Sequence, residues 1–199
     1  MDGSSKCNLN WKEIYCLPFI TTKSSKLQWF QYIIIHRILG TNSLLYKINQ
    51  KPNDKCSFCL EEVERIEHIF WSCNKISKLW EDLNNWIFEK NEIELPLNLT
   101  IILFGITDKS KKKYIRNLII LLTKFYMYRT KLNTQQVHLK ALQNYLKENL
   151  VIEKNIYFNN KSYEKANTCW SPLSTNFITT LYICSTTSIF PSPYYHGYN

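Results

Sequence analysis

The 199-residue chain has only four glycines, and they stand far apart at Gly3, Gly40, Gly105 and Gly197. A glycine-rich loop that cradles phosphate is therefore excluded. The longest aliphatic stretch, Leu-Ile-Ile-Leu-Leu at 118–122, falls far short of the roughly 20 residues that cross a bilayer. The opening MDGSSKCNLN lacks the apolar stretch of a signal peptide. Seven cysteines, an odd number without an export signal, argue against a disulfide scaffold. They point to an intracellular, reducing compartment, nucleus or cytoplasm. No segment of 20–50 residues repeats. Residues 169–199 have no formal charge, and no Asp or Glu occurs between 109 and 147.

Hydrophobic residues make up 45% of the chain and aromatics 15%, so it can bury a core. The net charge of +9 is segregated along the sequence. Residues 1–55 carry eight basic and three acidic groups, 56–106 carry four and nine, and 107–131 carry eight and one. A uniformly solvated surface would mix the signs.

The periodicity is helical, and the expected fold class is mainly α. A helix capped by Ser25 carries Leu27, Phe30, Ile34 and Ile38 at three-to-four spacing and stops at Gly40. Ser43 offers the cap of a short second helix. Ile76, Leu79, Trp80, Leu83 and Trp86/Ile87 share one face of a third. Residues 94–106 read as an extended connector. A long helix is expected over 109–131, capped by Asp108, and another over 134–149.

Cys56, Cys59, His68 and Cys73 form a C-x2-C-x8-H-x4-C pattern. The first pair places two thiolates on one tight turn, and the second pair completes a tetrahedral Cys3His set suited to zinc. Four protein ligands leave no position for water, so the single ion is structural. His68 and Cys73 are five residues apart, about 140° around a regular helix, and cannot both face the ion from one. A helix starting near Glu61 is expected to carry His68 and end before Cys73. Cys7, Cys16, Cys169 and Cys184 are isolated and read as filling or exposed residues.

The stretch LQWFQYIIIHRILGTNSLLYKI, then CSFC, then ERIEHIFWSCNKISKLW resembles the zinc-binding region near the C-terminus of LINE-type (non-LTR) retrotransposon reverse transcriptases. Weaker similarity runs from Trp11 to Trp170. The resemblance implies a zinc-bound helical module downstream of a polymerase that helps hold RNA and target DNA. The partners implied are RNA, DNA and the polymerase part of the same element. The chain itself has four dispersed aspartates, Asp2, Asp54, Asp82 and Asp108. It therefore lacks the aspartate pair that holds two catalytic magnesium ions. The expected function is non-catalytic nucleic-acid binding by a fragment or degenerate copy. The alternative is a zinc-stapled protein-interaction module.

The expected organisation is a zinc-binding helical domain over 11–91, a helical lobe with a basic helix over 92–170, and an irregular, uncharged tail over 171–199 that is disordered or read-through sequence. On a wheel of 100° per residue, Lys112, Lys113, Arg116, Lys124 and Lys131 fall within about 60° of Lys109. Leu118, Leu121, Leu122 and Phe125 lie opposite, and only Ile120 and Met127 interrupt the basic side. That side, together with Lys47, Lys51 and Lys55, is the expected phosphate-contacting surface; an anionic membrane surface is the runner-up. The cysteine segment, with Glu61, Glu62, Glu64 and Glu67 against Arg65, reads as too acidic to contact phosphate.

Overall fold

The computed structural model describes residues 9–110, 112–160 and 170. Among them are helices α1 (Trp11–Thr21), α2 (Ser25–Ile35), α3 (Asn42–Lys47), α4 (Asn74–Asn91), α5 (Leu99–Phe104), α6 (Lys113–Leu132) and α7 (Leu139–Asn160). A π-helical turn, His68–Ser72, precedes α4. The pairing of Lys55 with Val63 is an isolated antiparallel bridge. The fold is mainly α, as the periodicity predicts. The expectations for residues 171–199 and for Cys7, Cys169 and Cys184 fall outside the described residues. Among the described residues no helix is long and apolar enough to cross a membrane.

Several helix ends differ from expectation. α2 is capped at Ser24 rather than Ser25 and closes at Ile35, before Gly40. Arg37 adopts φ 59°, and the amides of Arg37 and Ile38 donate back to Ile34 and Ile33. This is a Schellman closure with arginine where glycine is usual. It leaves Ile38 exposed rather than on the apolar face. Asn49 closes α3 and Thr134 closes α6 in the same way. A glycine-poor chain thus ends helices with side-chain-bearing residues in a conformation that costs about 1–2 kcal/mol each.

Thr41, not Ser43, caps α3, its hydroxyl accepting the Leu44 amide. α5 occupies part of the expected connector. The Asn98 side chain accepts the Ile101 amide at 2.9 Å to start it, and Gly105 at φ 88° ends it. A Cβ at Gly105 would meet Leu17 and Asn117 at 3.0 Å. α6 begins at Lys113 rather than 109, because Asp108 accepts the Ser110 amide in a separate turn. α7 runs 139–160 rather than 134–149.

α6 is the centre of the molecule. It packs against α1, α2 and α7, and Ile115, Leu118, Ile119, Ile120, Leu121, Leu122 and Met127 are all buried. The buried cluster is continuous from Leu27 through Leu83 and Leu118 to Trp170. Segments assigned to two lobes by their sequence therefore share one core. Trp170 is buried beside Tyr114 and Tyr157.

Candidate metal centre

The cysteine segment is shaped before any ion is considered. The Lys55–Val63 bridge and the Cys56 amide, which donates to the Glu62 carbonyl at 2.8 Å, close the loop. Leu60 turns it at φ 64°, its amide donating to the Cys56 carbonyl. The amide of Phe58 points at the Cys56 sulfur, 3.4 Å away.

Glu64 is the hub of this loop. It is wholly buried. Its carboxylate accepts the amide of Asn42 at 2.7 Å, the amide and hydroxyl of Ser57 at 2.8 and 2.7 Å, and the ammonium of Lys131 at 2.6 Å. Burial pushes its pKa up, but Lys131 and the Ser57 donors outweigh that and hold it below the usual carboxylate range. Lys131 also donates to the Gly40 carbonyl at 2.6 Å. One carboxylate thereby joins the start of α3, the loop between Cys56 and Cys59, and the end of α6.

The expected helix from Glu61 does not form, because residues 61–64 are committed to the bridge and to this hub. Helix begins at Ile66 and widens into the π-turn, closed by the Cys73 amide donating to the His68 carbonyl at 3.0 Å. Closure from residue i to i+5 is what defines that turn. It carries His68 and ends before Cys73, as expected. Cys73 is then the N-cap of α4. Trp80 on α4 donates its indole N–H to the Phe70 carbonyl at 2.8 Å, fixing α4 to the turn.

These elements bring Cys56, Cys59, His68 and Cys73 together, with their ligand atoms all within 4.8 Å of one another. The sulfurs of Cys56 and Cys73 are 3.9 Å apart, and Cys59 Sγ is 3.4 Å from His68 Nε2. Tetrahedral zinc bonds would set S···S at about 3.8 Å and S···N at about 3.5 Å. His68 Nδ1 lies 3.2 Å from a Glu62 carboxylate oxygen and 3.3 Å from the Ser72 hydroxyl. A carboxylate on Nδ1 keeps the proton there and leaves the Nε2 lone pair for the ion. The Cys56–Cys73 hydrogen bond, and then burial, push the Cys56 thiol up, while the same bond pulls Cys73 down. Two buried thiols sharing a proton form a site that a divalent cation suits.

Cys56, Cys73 and His68 are buried and Cys59 is half-buried, so the set is closed. It holds one structural zinc ion. Glu62, Ser72, Ser57 and Glu64 had no signal in the spacing, because their partners come from elsewhere in the loop or from α3 and α6.

The basic helix needs correction. Lys124 and Lys131 are interior residues, not phosphate contacts. Lys124 donates to the Gln31 side-chain oxygen at 2.6 Å, and burial brings its pKa down to about 7. Ile120 and Met127, which interrupted the basic side of the wheel, are buried too. That interruption was the signal that this side faces α2 and α5 rather than water. Lys112 donates to the Glu92 carbonyl at 2.9 Å, and Lys113 pairs with Glu13 at 2.6 Å. Arg116 is half-buried, and Lys109 lies outside the helix and is exposed. The six cations do not form one face.

The acidic reading of the cysteine segment also changes. Glu64 is neutralised by Lys131, Glu67 pairs with Arg37, and Glu62 faces His68. Lys55 folds back to the Glu61 carbonyl at 2.8 Å, while Lys47 and Lys51 remain exposed beside the loop.

Comparison with curated proteins and with solved structures gives no match. Residues 3–80 match the protein family described as zinc-binding in reverse transcriptase. That match contains all four ligands of the site built above, and this part of the chain is a zinc-binding region similar to that of reverse transcriptases.

Proposed function

We propose that the chain is a non-catalytic, nucleic-acid-binding module of the kind found in LINE-type reverse transcriptases, a fragment or degenerate copy of a longer element protein. The observation that carries this reading is the family match over residues 3–80, with its four ligand atoms within 4.8 Å of one another. The pairing of Glu64 with Lys131 and of Glu67 with Arg37 supports it, since it offsets two acids of the cysteine segment while Lys47 and Lys51 stand exposed beside the loop. The zinc supplies shape: it fixes the loop against α4 and brings no open coordination position to a substrate. Nothing in the sequence provides the aspartate pair of a polymerase.

Filter binding to single-stranded RNA and duplex DNA across a salt series tests the reading. Phosphate contact makes affinity fall with salt, about 0.9 per contact in log–log slope on a duplex and about 0.7 on a single strand. Lys47→Gln with Lys51→Gln should flatten the slope. Absence of nucleic-acid binding at low salt would overturn the proposal, as would primer extension by the pure protein. A zinc-held protein-interaction module is the second reading, favoured by exposed Phe19 and Ile20 on α1. It requires binding that hardly responds to salt.

A further inference from the structure

The outer surface of α2 has a feature that the zinc site does not use. Trp29 is 61% exposed although it lies on a helix that is otherwise well packed. It rims a groove of about 340 Å3 between α2 and the C-terminal half of α6, walled by Phe125, Tyr128 and Leu132. That volume is in the range of small-ligand sites, about 300–1,000 Å3. The charged residues lining the groove are Lys26 and Arg129. Lys26 sits one turn before Trp29, with its ammonium 5.3 Å from the centre of the Phe125 ring. Neither cation forms an ion pair with a described carboxylate, and Arg129 also hydrogen-bonds the Tyr145 hydroxyl. Neither α2 nor α6 contains an Asp or Glu.

The aromatic surface continues away from the groove. Trp29 stacks on Tyr32 with ring centroids 5.2 Å apart and planes 16° apart. Tyr32 meets His36 at 4.1 Å, His36 meets Tyr15 at 5.6 Å, and Tyr15 meets Trp11 at 6.1 Å. Five rings thus form a connected row across α2 and α1, and Trp11, Tyr15, Trp29 and Tyr32 are all exposed. The one acid on α1, Glu13, is taken up by Lys113.

We infer that this groove and the aromatic row form a contact for single-stranded nucleic acid. One unpaired base stacks at Trp29, and its flanking phosphates face Lys26 and Arg129. The inference rests on the nucleic-acid reading above and gives it a location away from the zinc loop. Aromatic faces bind bases that are splayed from a strand, whereas a duplex keeps its bases stacked on one another. Cations without carboxylate partners beside those rings complement a phosphate backbone.

The test uses the full, zinc-loaded chain with a short single-stranded RNA, the same sequence as single-stranded DNA, and the corresponding duplex. Trp29 is exposed, so Trp29→Ala should keep wild-type zinc content and helicity. It should weaken single-strand binding about 5- to 140-fold, which is 1–3 kcal/mol per stacked base at 1.4 kcal/mol per tenfold. Duplex binding should hardly change, and Trp29→Phe should restore most of the loss. Lys26→Gln with Arg129→Gln should flatten the single-strand salt slope by about 1.4, two contacts at about 0.7 each. If the wild type binds no nucleic acid, the underlying reading fails and this inference with it. If the wild type binds and both groove variants match it in affinity and slope, the groove assignment alone is overturned. Equal losses on single strand and duplex overturn it too, as does a wild-type dimer that Trp29→Ala turns into monomer.

Discussion

Replacing Glu64 by Gln should be the most damaging conservative change outside the zinc ligands. The wild-type carboxylate is wholly buried and accepts four hydrogen bonds, three from Asn42 and Ser57 and one from Lys131. Glutamine has the same size but one acceptor oxygen, so its NH2 group must face a donor. Either it faces the Asn42 amide and Lys131 at the Oε1 position or it faces the Ser57 amide at Oε2, and in both cases the buried Lys131 ammonium loses its counter-charge. Removing one partner of a buried ion pair costs about 3–5 kcal/mol. Whole domains are stable by about 5–15 kcal/mol. Lys131→Met leaves Glu64 with its three other donors and should cost less, about 1–3 kcal/mol. The double variant should cost less than the sum of the two, because the groups touch. Ser57 lies between Cys56 and Cys59, so Glu64→Gln should also weaken zinc, while Lys131→Met should affect it little. Because the folded pKa of Glu64 is held low, its contribution is present above the unfolded value of about 4.3 and is lost as pH falls through the folded value. Urea unfolding at saturating zinc, with chelator competition for affinity, measures both effects. A Glu64→Gln cost below about 1 kcal/mol, or a larger cost for Lys131→Met, would refute the hub.

Three further outcomes are expected. Chelation, Cys59→Ser or His68→Ala should melt the zinc region, since structural zinc contributes on the order of 10–16 kcal/mol; Glu62→Gln should keep the fold and weaken zinc about tenfold, as read by competition with a chelating dye. Lys124→Met should be stabilising at pH 6. The wild type carries a buried ammonium whose folded pKa of about 7 lies below its unfolded value near 10.4. Wild-type stability should therefore rise between those two values and the gap close by pH 10; a gap independent of pH would disprove the cause. Thr134→Gly should raise Tm by about 2–4 °C, because it relieves about 1 kcal/mol of left-handed strain at the end of α6; a fall in Tm would show that the strain is compensated locally.

Local chemistry was legible from the sequence alone. Two cysteines three apart, a histidine nine further on and a closing cysteine constrain which atoms can meet, and they do meet. The α4 face of Ile76, Leu79, Trp80, Leu83 and Ile87 is likewise a matter of helical period, and all five are buried. The structure alone decided where charge is spent. Lys124 and Lys131 look on a wheel like solvated lysines. A long side chain, however, goes wherever the helix crossing above it leaves an acceptor, and Gln31 and Glu64 come from distant segments. The same holds for α1, whose buried Ile14, Leu17, Pro18 and Thr21 are masked in the sequence by exposed Trp11, Tyr15, Phe19 and Ile20. Ligand spacing is a property of a few neighbouring residues. Which apolar face is covered and which charge is neutralised is a property of what packs across from it, and that is set only when the whole chain has folded.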